Sequence, residues 1–262
     1  MKTLLQAIGY KLGKTAANAK SVFDLLGGGE EESLRAEIHL GQELAAATLE
    51  HTPLVQENTV TRFAREVGVW LAGHLAENRM PFVFRFTAES TLNAFALPGG
   101  HVFMSWPLLE VCQGQRDEFA FVLAHEMAHI KLRHTLDRIV QDSVFSLLLR
   151  QSPAKHAVAA WLGKVGQQTL SRAYSRESEM QADSFAVSLL KTCGGNPLGA
   201  ERLLEKLAQR EPNHNPAVWT EYMATHPPLR ERIAHLRPGP TAPRFMAGEQ
   251  VCREQGASPE PE

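Results

Sequence analysis

The chain has 262 residues, and its 27 Lys and Arg nearly balance its 29 Asp and Glu, for a formal net charge of -2. This length suffices for one large domain with a sizeable core. The charge balance excludes a strongly basic surface, so we expect no nucleic acid partner. Its three cysteines, Cys112, Cys193 and Cys252, lie far apart and match no disulfide framework or thiolate metal motif, which favours a reducing compartment and a cytoplasmic location.

The N-terminal residues do not match a signal peptide, because polar residues interrupt the apolar stretch early. No window approaches the roughly 20 apolar residues that span a bilayer, so we expect no transmembrane segment. Residues 1–24 can instead form a lysine-bearing amphipathic helix. We expect that helix to pack on its own domain, and a peripheral membrane contact is the alternative. Residues 1–55 are assigned to an N-terminal helical segment.

Two helices are predicted next along the chain. A run of three glycines ends at residue 29, and apolar residues then recur at helical spacing from 30 to 50. The same period returns from about residue 58 to 75. We expect these two helices to pack on each other.

A different pattern follows, with FVFRF at 82–86 and two apolar runs in 91–105 that are separated by Pro98-Gly99-Gly100. It predicts a small antiparallel or mixed sheet of about three strands that ends in a hairpin. From Asp117, the expected N-cap, the sequence is helical to about residue 237. The predicted fold class is therefore α+β and mostly helical, with residues 56–238 as the main domain and 239–262 as a disordered tail rich in Pro, Gly and charge.

The sequence His125-Glu126-Met127-Ala128-His129 is an HExxH motif within an apolar helix. Its two histidines lie one turn apart on the same face, so both can bind one metal ion. The glutamate is rotated by about 100° from the first histidine and can hold a water as a general base.

A catalytic zinc ion usually takes three protein ligands. Downstream, the helical segment SRESEMQADSFAVSLL presents Glu179 and Asp183 at positions i and i+4. One carboxylate can bind the metal while the other supports a ligand histidine. Glu177 competes for the ligand role, but it would leave Asp183 on another face, so Glu179 is preferred.

Four segments resemble the HtpX-like and CAAX-prenyl-protease-like zinc metallopeptidases, a gluzincin family with a glutamate as third ligand. In order, they are LNAFALPGGHVFMS (92–105), AHEMAHIKLRH (124–134), SRESEMQAD (175–183) and THPPLRERI (225–233). The resemblance implies a zincin-type catalytic domain with an HExxH active-site helix. Many members have transmembrane helices around these segments; this chain is more similar to the soluble ones.

The resemblance implies one zinc ion per chain, bound by His125, His129 and Glu179. It makes Glu126 the general base, and Asp183 would orient a ligand histidine.

It also implies that Asn93, Ala94, Phe95 and Ala96 line the cleft as a strand to which an extended peptide can add. His226 has three open roles: a catalytic stabiliser of the oxyanion, a fourth zinc ligand in a resting state, or a capping or surface histidine. We interpret His134 as structural, because on an ideal helix it points about 140° away from His129.

The predicted function is a zinc-dependent endopeptidase that hydrolyses unfolded or extended polypeptides with an activated water, in protein quality control. Two alternatives are considered. One is a latched or noncatalytic zinc-binding, chaperone-like module that interacts with proteins. The other is a metal-dependent hydrolase of small molecules. Such an enzyme needs a closed pocket, whereas a strand at the rim predicts an open groove.

Overall fold

A computed structural model describes residues 29–76, 79–140, 173–210, 226 and 229–237. The helix expected at 1–24 and the tail expected at 239–262 lie outside these residues. None of the described helices has the length and apolar composition needed to cross a membrane. The elements in chain order are α1 (Glu30–Leu49), α2 (Thr59–Gly73), β1 (Val83–Thr87), β2 (Ala94–Leu97), a 3-10 turn (Pro98–Gly100), β3 (His101–Ser105), α3 (Trp106–Cys112), α4 (Arg116–Lys131), α5 (His134–Val140), α6 (Arg176–Thr192), α7 (Leu198–Arg210) and α8 (Leu229–Leu236).

The sheet has three strands in the order β1-β3-β2. β3 pairs parallel with β1 and antiparallel with β2. Every residue of β3 is buried, as expected for a central strand. The α+β class and the small sheet are thus confirmed, and the sheet is the mixed variant. The turn at Pro98–Gly100 closes the expected hairpin between β2 and β3.

β2 lies at an edge of this sheet. The Ser105 amide donates to the Asn93 carbonyl at 2.9 Å, which makes Asn93 and Ser105 a hydrogen-bonded pair. Because antiparallel pairs alternate, Ala94 and Ala96 direct their backbone N–H and C=O groups away from β3. Within the described ranges, no strand pairs with that side of β2.

α1 packs on the 3-10 turn, and the expected packing of α1 along α2 is wrong. The reason is a close backbone contact made by glycine. A Cβ added to Gly41 would lie 1.9 Å from the Pro98 carbonyl oxygen, and one added to Gly99, which has φ 74°, would lie 2.9 Å from the Ile38 Cα. Only glycine allows the helix and the turn to approach so closely. α2 packs instead on α4 and β1.

α4 is the central helix, and all of its residues from Phe119 to Ile130 are buried. α2, α6, α7 and β2 pack around it. A helix enclosed on all sides needs an apolar surface throughout, which makes its few polar side chains conspicuous. The expected N-cap at Asp117 is wrong: Gln115 occupies that position. The Asp117 carboxylate instead accepts a hydrogen bond from the Asn196 backbone amide at 3.1 Å, ahead of α7.

Candidate metal centre

The two histidines of the HExxH motif meet inside the protein. His125 and His129 are 2% and 0% exposed, and their Nε2 atoms lie 3.2 Å apart. They reach the same point because they are one turn apart on α4. Burial holds the pKa of His129 well below its usual value, so its ring is neutral and offers a lone pair.

Glu179 enters the cluster from α6. This helix starts at the Ser175 N-cap, whose hydroxyl accepts from the Ser178 amide, and Glu179 lies in its first turn. One Glu179 carboxylate oxygen is 3.3 Å from His129 Nε2, and the other is 3.6 Å from His125 Nε2. The competing Glu177 is exposed. The structure therefore brings Glu179 to the histidines and leaves Glu177 at the surface.

His226 is also buried in the cluster, with 1% of its surface exposed. Its Nδ1 lies 2.9 Å from Glu179 Oε1 and 3.4 Å from His125 Nε2. Burial alone would lower the pKa of His226, but the carboxylates of Glu179 and Glu126 outweigh burial and raise it. Among the described residues, His125, His129, Glu179 and His226 each place one ligand atom within 4.8 Å of the others, so together they could hold a metal ion. A surface position for His226 is excluded.

Asp183 and Arg232 support one side of this cluster. Asp183 Oδ1 is 2.9 Å from His125 Nδ1, the ring nitrogen that faces away from the cluster. Arg232 donates to both Asp183 oxygens, at 2.7 and 2.9 Å, and its Nη1 is 3.2 Å from Glu179 Oε2. Burial would raise the pKa of Asp183, but Arg232 and His125 outweigh it and lower the pKa to about 2.

Sequence reasoning missed Arg232. It is 1% exposed and shares the inward face of α8 with Leu229, three residues earlier. The available signal was the helical spacing between Leu229 and Arg232, which places the arginine on the same buried face as the leucine. A buried cation needs anionic partners, so this spacing indicated carboxylates nearby.

His134 and Tyr174 contact the other ligand histidine. His134 Nδ1 lies 3.1 Å from His129 Nδ1, and the Tyr174 ring stacks on His129 at a centroid distance of 3.8 Å. The ideal-helix projection failed for His134 because α4 ends at Lys131 and Arg133 adopts φ 60°, which turns the chain back. Tyr174 had no sequence signal that we recognised.

Glu126 is fully buried beside the cluster. Within the described part of the chain, neither of its carboxylate oxygens has a hydrogen-bond partner, and its Oε1 is 3.6 Å from His226 Nε2. A buried carboxylate without hydrogen bonds is costly and calls for a partner that the described residues do not supply. A water molecule held by a metal ion would be such a partner. The buried residues thus fit a metal ion, both as ligands and as an adjacent base.

The residues expected at the rim lie on the strand that packs against α4. Asn93, Ala94 and Ala96 are buried, whereas Phe95 is partly exposed and stacks on Phe103 at 4.8 Å. The backbone amide of Asn93 donates to the Ser105 hydroxyl at 2.9 Å. No described strand pairs with this edge of β2, but Ala94 and Ala96 are both 0% exposed, so their unpaired main-chain groups are covered together with their side chains.

The fold and the site identify the class of protein. The chain belongs to peptidase family M48, whose family model matches residues 57–238. That match includes the HExxH helix, Glu179 and His226, and it confirms the resemblance seen in the four sequence segments.

Individual relatives share about a quarter to a third of their residues with this chain over the aligned regions. The beta-barrel assembly-enhancing protease of Escherichia coli (strain K12) is 26% identical over 222 residues, which cover 80% of this chain and 45% of that protein. The mitochondrial metalloendopeptidase OMA1 of Schizosaccharomyces pombe is 32% identical over 173 residues, covering 63% and 47%. The chain thus spans about half the length of these curated relatives. The solved structure of S. mikatae Ste24p aligns with 90% of this chain and 63% of its own chain, with 15% sequence identity and a TM-score of 0.39.

Proposed function

We propose that the protein is a zinc-dependent endopeptidase in which His125, His129 and Glu179 bind one zinc ion and Glu126 is the general base. The observation that carries the proposal is the buried convergence of three imidazoles and a carboxylate beside a carboxylate that lacks hydrogen bonds. Family membership and the two protease relatives support it.

The spacing of the donor atoms is compatible with a tetrahedral zinc ion. Ligands about 2.0–2.1 Å from a tetrahedral zinc ion lie about 3.3 Å from one another. The observed distances are 3.2 Å between the two motif histidines, 3.3 Å from His129 to Glu179, and 2.9 and 3.4 Å from His226 to Glu179 and His125. Two imidazoles, a carboxylate and a fourth position that can exchange form the donor set of a hydrolytic zinc site.

A zinc ion bound there would acidify a water molecule and polarise the scissile carbonyl. Glu126 accepts the proton of the attacking water on a carboxylate oxygen and delivers it to the leaving amine. Asp183 accepts from His125 Nδ1 and holds that ring in its ligand tautomer. Arg232 keeps Asp183 and Glu179 ionised, because it lies within 3.2 Å of both carboxylates.

The substrates we propose are unfolded or extended polypeptides, in protein quality control. Ala94 and Ala96 direct unpaired main-chain groups to one edge of the sheet, and strand addition there, once the edge is uncovered, would read backbone geometry with little demand on side chains. Asn93 and Phe95 flank these positions. Cleavage of unfolded casein should far exceed cleavage of a compact folded domain; equal rates would contradict this substrate class.

A latched state is the alternative, and the position of His226 favours it. Its Nδ1 lies 2.9 Å from Glu179 Oε1 and 3.4 Å from His125 Nε2, so His226 would be able to take the fourth ligand position that a catalytic zinc ion leaves to water. If His226 is a latch, His226→Ala raises peptidase activity. If it stabilises the oxyanion, the same substitution abolishes activity, and an unchanged rate would contradict both roles.

The first experiment compares wild type with Glu126→Gln. We expect each to contain one zinc ion by elemental analysis, and only the wild type to cleave casein in a chelator-sensitive way. The loss should be about 10²–10⁴-fold, as for removal of a general base. A wild type that binds no zinc would refute the proposed function, and one that binds zinc without cleaving would favour the latched state.

A further inference from the structure

The two motif histidines differ in the group that meets the ring nitrogen facing away from the cluster. For His125 the nearest such group is the Asp183 carboxylate, at 2.9 Å, with Arg232 Nη2 at 3.2 Å. For His129 it is a second imidazole, with His134 Nδ1 at 3.1 Å. A carboxylate can only accept a hydrogen bond from a ring N–H, whereas an imidazole nitrogen accepts or donates according to its tautomer. The support of His129 therefore depends on where His134 carries its proton.

The contacts determine that tautomer. His129 directs Nε2 at the cluster, so as a metal ligand it carries its proton on Nδ1 and donates there. His134 Nδ1 must then accept, which leaves its own proton on Nε2. That atom lies 3.1 Å from Gln181 Oε1, an amide oxygen that can only accept. All hydrogen bonds from His129 through His134 to Gln181 thus run in one direction, from the buried cluster to the exposed side of α6.

We propose that His134 is a positioning residue for the metal centre. As a neutral imidazole with its proton on Nε2, it accepts from His129 Nδ1 and holds that ring in its ligand orientation, while Gln181 fixes the tautomer. The inference rests on the proposed metal binding by His129.

The surrounding contacts support a fixed position for His134. Tyr174 stacks on His129 with an interplanar angle of 18°, so the plane of the ligand ring is set by stacking and its rotation in that plane by the hydrogen bond. Arg133, next to His134, donates to the Ser33 hydroxyl at 3.2 Å and lies 3.4 Å from the Glu37 carboxylate. The turn that carries His134 is therefore tied to α1.

Two substitutions at His134 separate hydrogen bonding from packing. In asparagine, Oδ1 is as many bonds from the backbone as histidine Nδ1 and can accept from His129. In glutamine, the amide lies one bond further, at the place of Nε2. We expect His134→Gln to raise the zinc dissociation constant about 10–100-fold, and His134→Asn to stay near wild type. His39→Gln, at an exposed position on α1, is the matched control and should change nothing.

The dissociation constant is measured on the full chain by competition with a chromophoric chelator, and the Co2+-loaded proteins give visible spectra as a second readout. Ligand-field bands should shift in His134→Gln and match wild type in His134→Asn. Unchanged affinity and spectrum in His134→Gln, or equal losses in both variants, would overturn the proposal. A wild type that binds no zinc would instead refute the proposed function itself.

Gln181→Ala provides the test if His134→Gln does not fold, because Gln181 is exposed and α6 tolerates alanine there. Without the amide oxygen, the proton of His134 is free to move to Nδ1. The Nδ1–H groups of His134 and His129 would then face each other, and no hydrogen bond could form between them. We expect weaker zinc binding than in wild type. An unchanged dissociation constant in this variant would count against the proposed tautomer and overturn the inference.

Discussion

Arg232 is a permanently charged partner for two buried carboxylates whose other described partners are histidines. Arg232 forms a bidentate hydrogen-bonded contact with the Asp183 carboxylate, and its Nη1 lies 3.2 Å from Glu179 Oε2. Since Asp183 also contacts His125, a single guanidinium organises a proposed ligand and the support of another. At this scale, charge compensation decides the geometry of the centre.

Replacing Arg232 should be strongly destabilising even without metal. Arg232→Met removes the guanidinium from the buried Asp183 and Glu179 and leaves them only histidine partners among the described residues. We expect the free energy of unfolding to fall by about 3–5 kcal/mol in urea titrations of the metal-free protein. Arg176→Met is the control. That side chain is 72% exposed and pairs with Glu231 at 3.3 Å, so its loss should cost only about 0–1 kcal/mol. Equal effects of the two substitutions would contradict this role of Arg232.

The pKa of Asp183 predicts a dependence of stability on acid. The folded protein lowers that pKa from 3.8 to about 2. A lowered carboxyl pKa stabilises the fold above the unfolded value, and this contribution is lost as the pH falls from about 4 towards 2. The loss should be about 2 kcal/mol in the metal-free protein. Unfolding free energies of wild type and Asp183→Asn, measured from pH 5 to pH 2, should therefore converge, and parallel curves would refute the assignment.

At the scale of elements, glycine allows α1 to approach the turn that joins β2 and β3. The sequence pattern identified both helices α1 and α2, because their apolar periods are local. It did not identify their partners, since packing depends on surfaces distant in the chain. The contact of Gly41 with Pro98 is one such case, for Gly41 resembles any other helical glycine in the sequence.

Two glycine substitutions test this contact. Gly41→Ala puts a methyl group 1.9 Å from the Pro98 carbonyl oxygen, and we expect a loss of about 1–3 kcal/mol from overpacking. Gly73→Ala, also in a helix, meets nothing within 4 Å, so it should be neutral or stabilising by up to about 1 kcal/mol. Chemical unfolding measures both. If both variants gain stability, α1 does not contact the turn as described.

For the whole molecule, the centre connects parts of the chain that are far apart in sequence. Its proposed ligands come from α4 and α6, and His226 joins them before α8. A metal ion bound by these elements stabilises only the folded protein.

Zinc should therefore raise the melting temperature. At free zinc one hundred times the dissociation constant, the gain is about 2.7 kcal/mol. A chelator should reverse it, and Glu179→Gln should lose most of the response while remaining folded. Equal melting temperatures for wild type with zinc and with chelator would contradict metal binding by the folded protein.

The sequence by itself determined the family, the α+β fold class and the chemistry proposed for His125, Glu126, His129 and Glu179. His125, Glu126 and His129 follow from local order, because HExxH places its side chains by helical geometry alone. Glu179 follows from its i, i+4 spacing to Asp183 and from the family resemblance. Only the tertiary structure decided that His226 is buried among them, that Arg232 neutralises their carboxylates, and that His134 turns back onto His129. Each of these depends on where separate segments meet, and burial then selects partners that spacing along the chain does not specify.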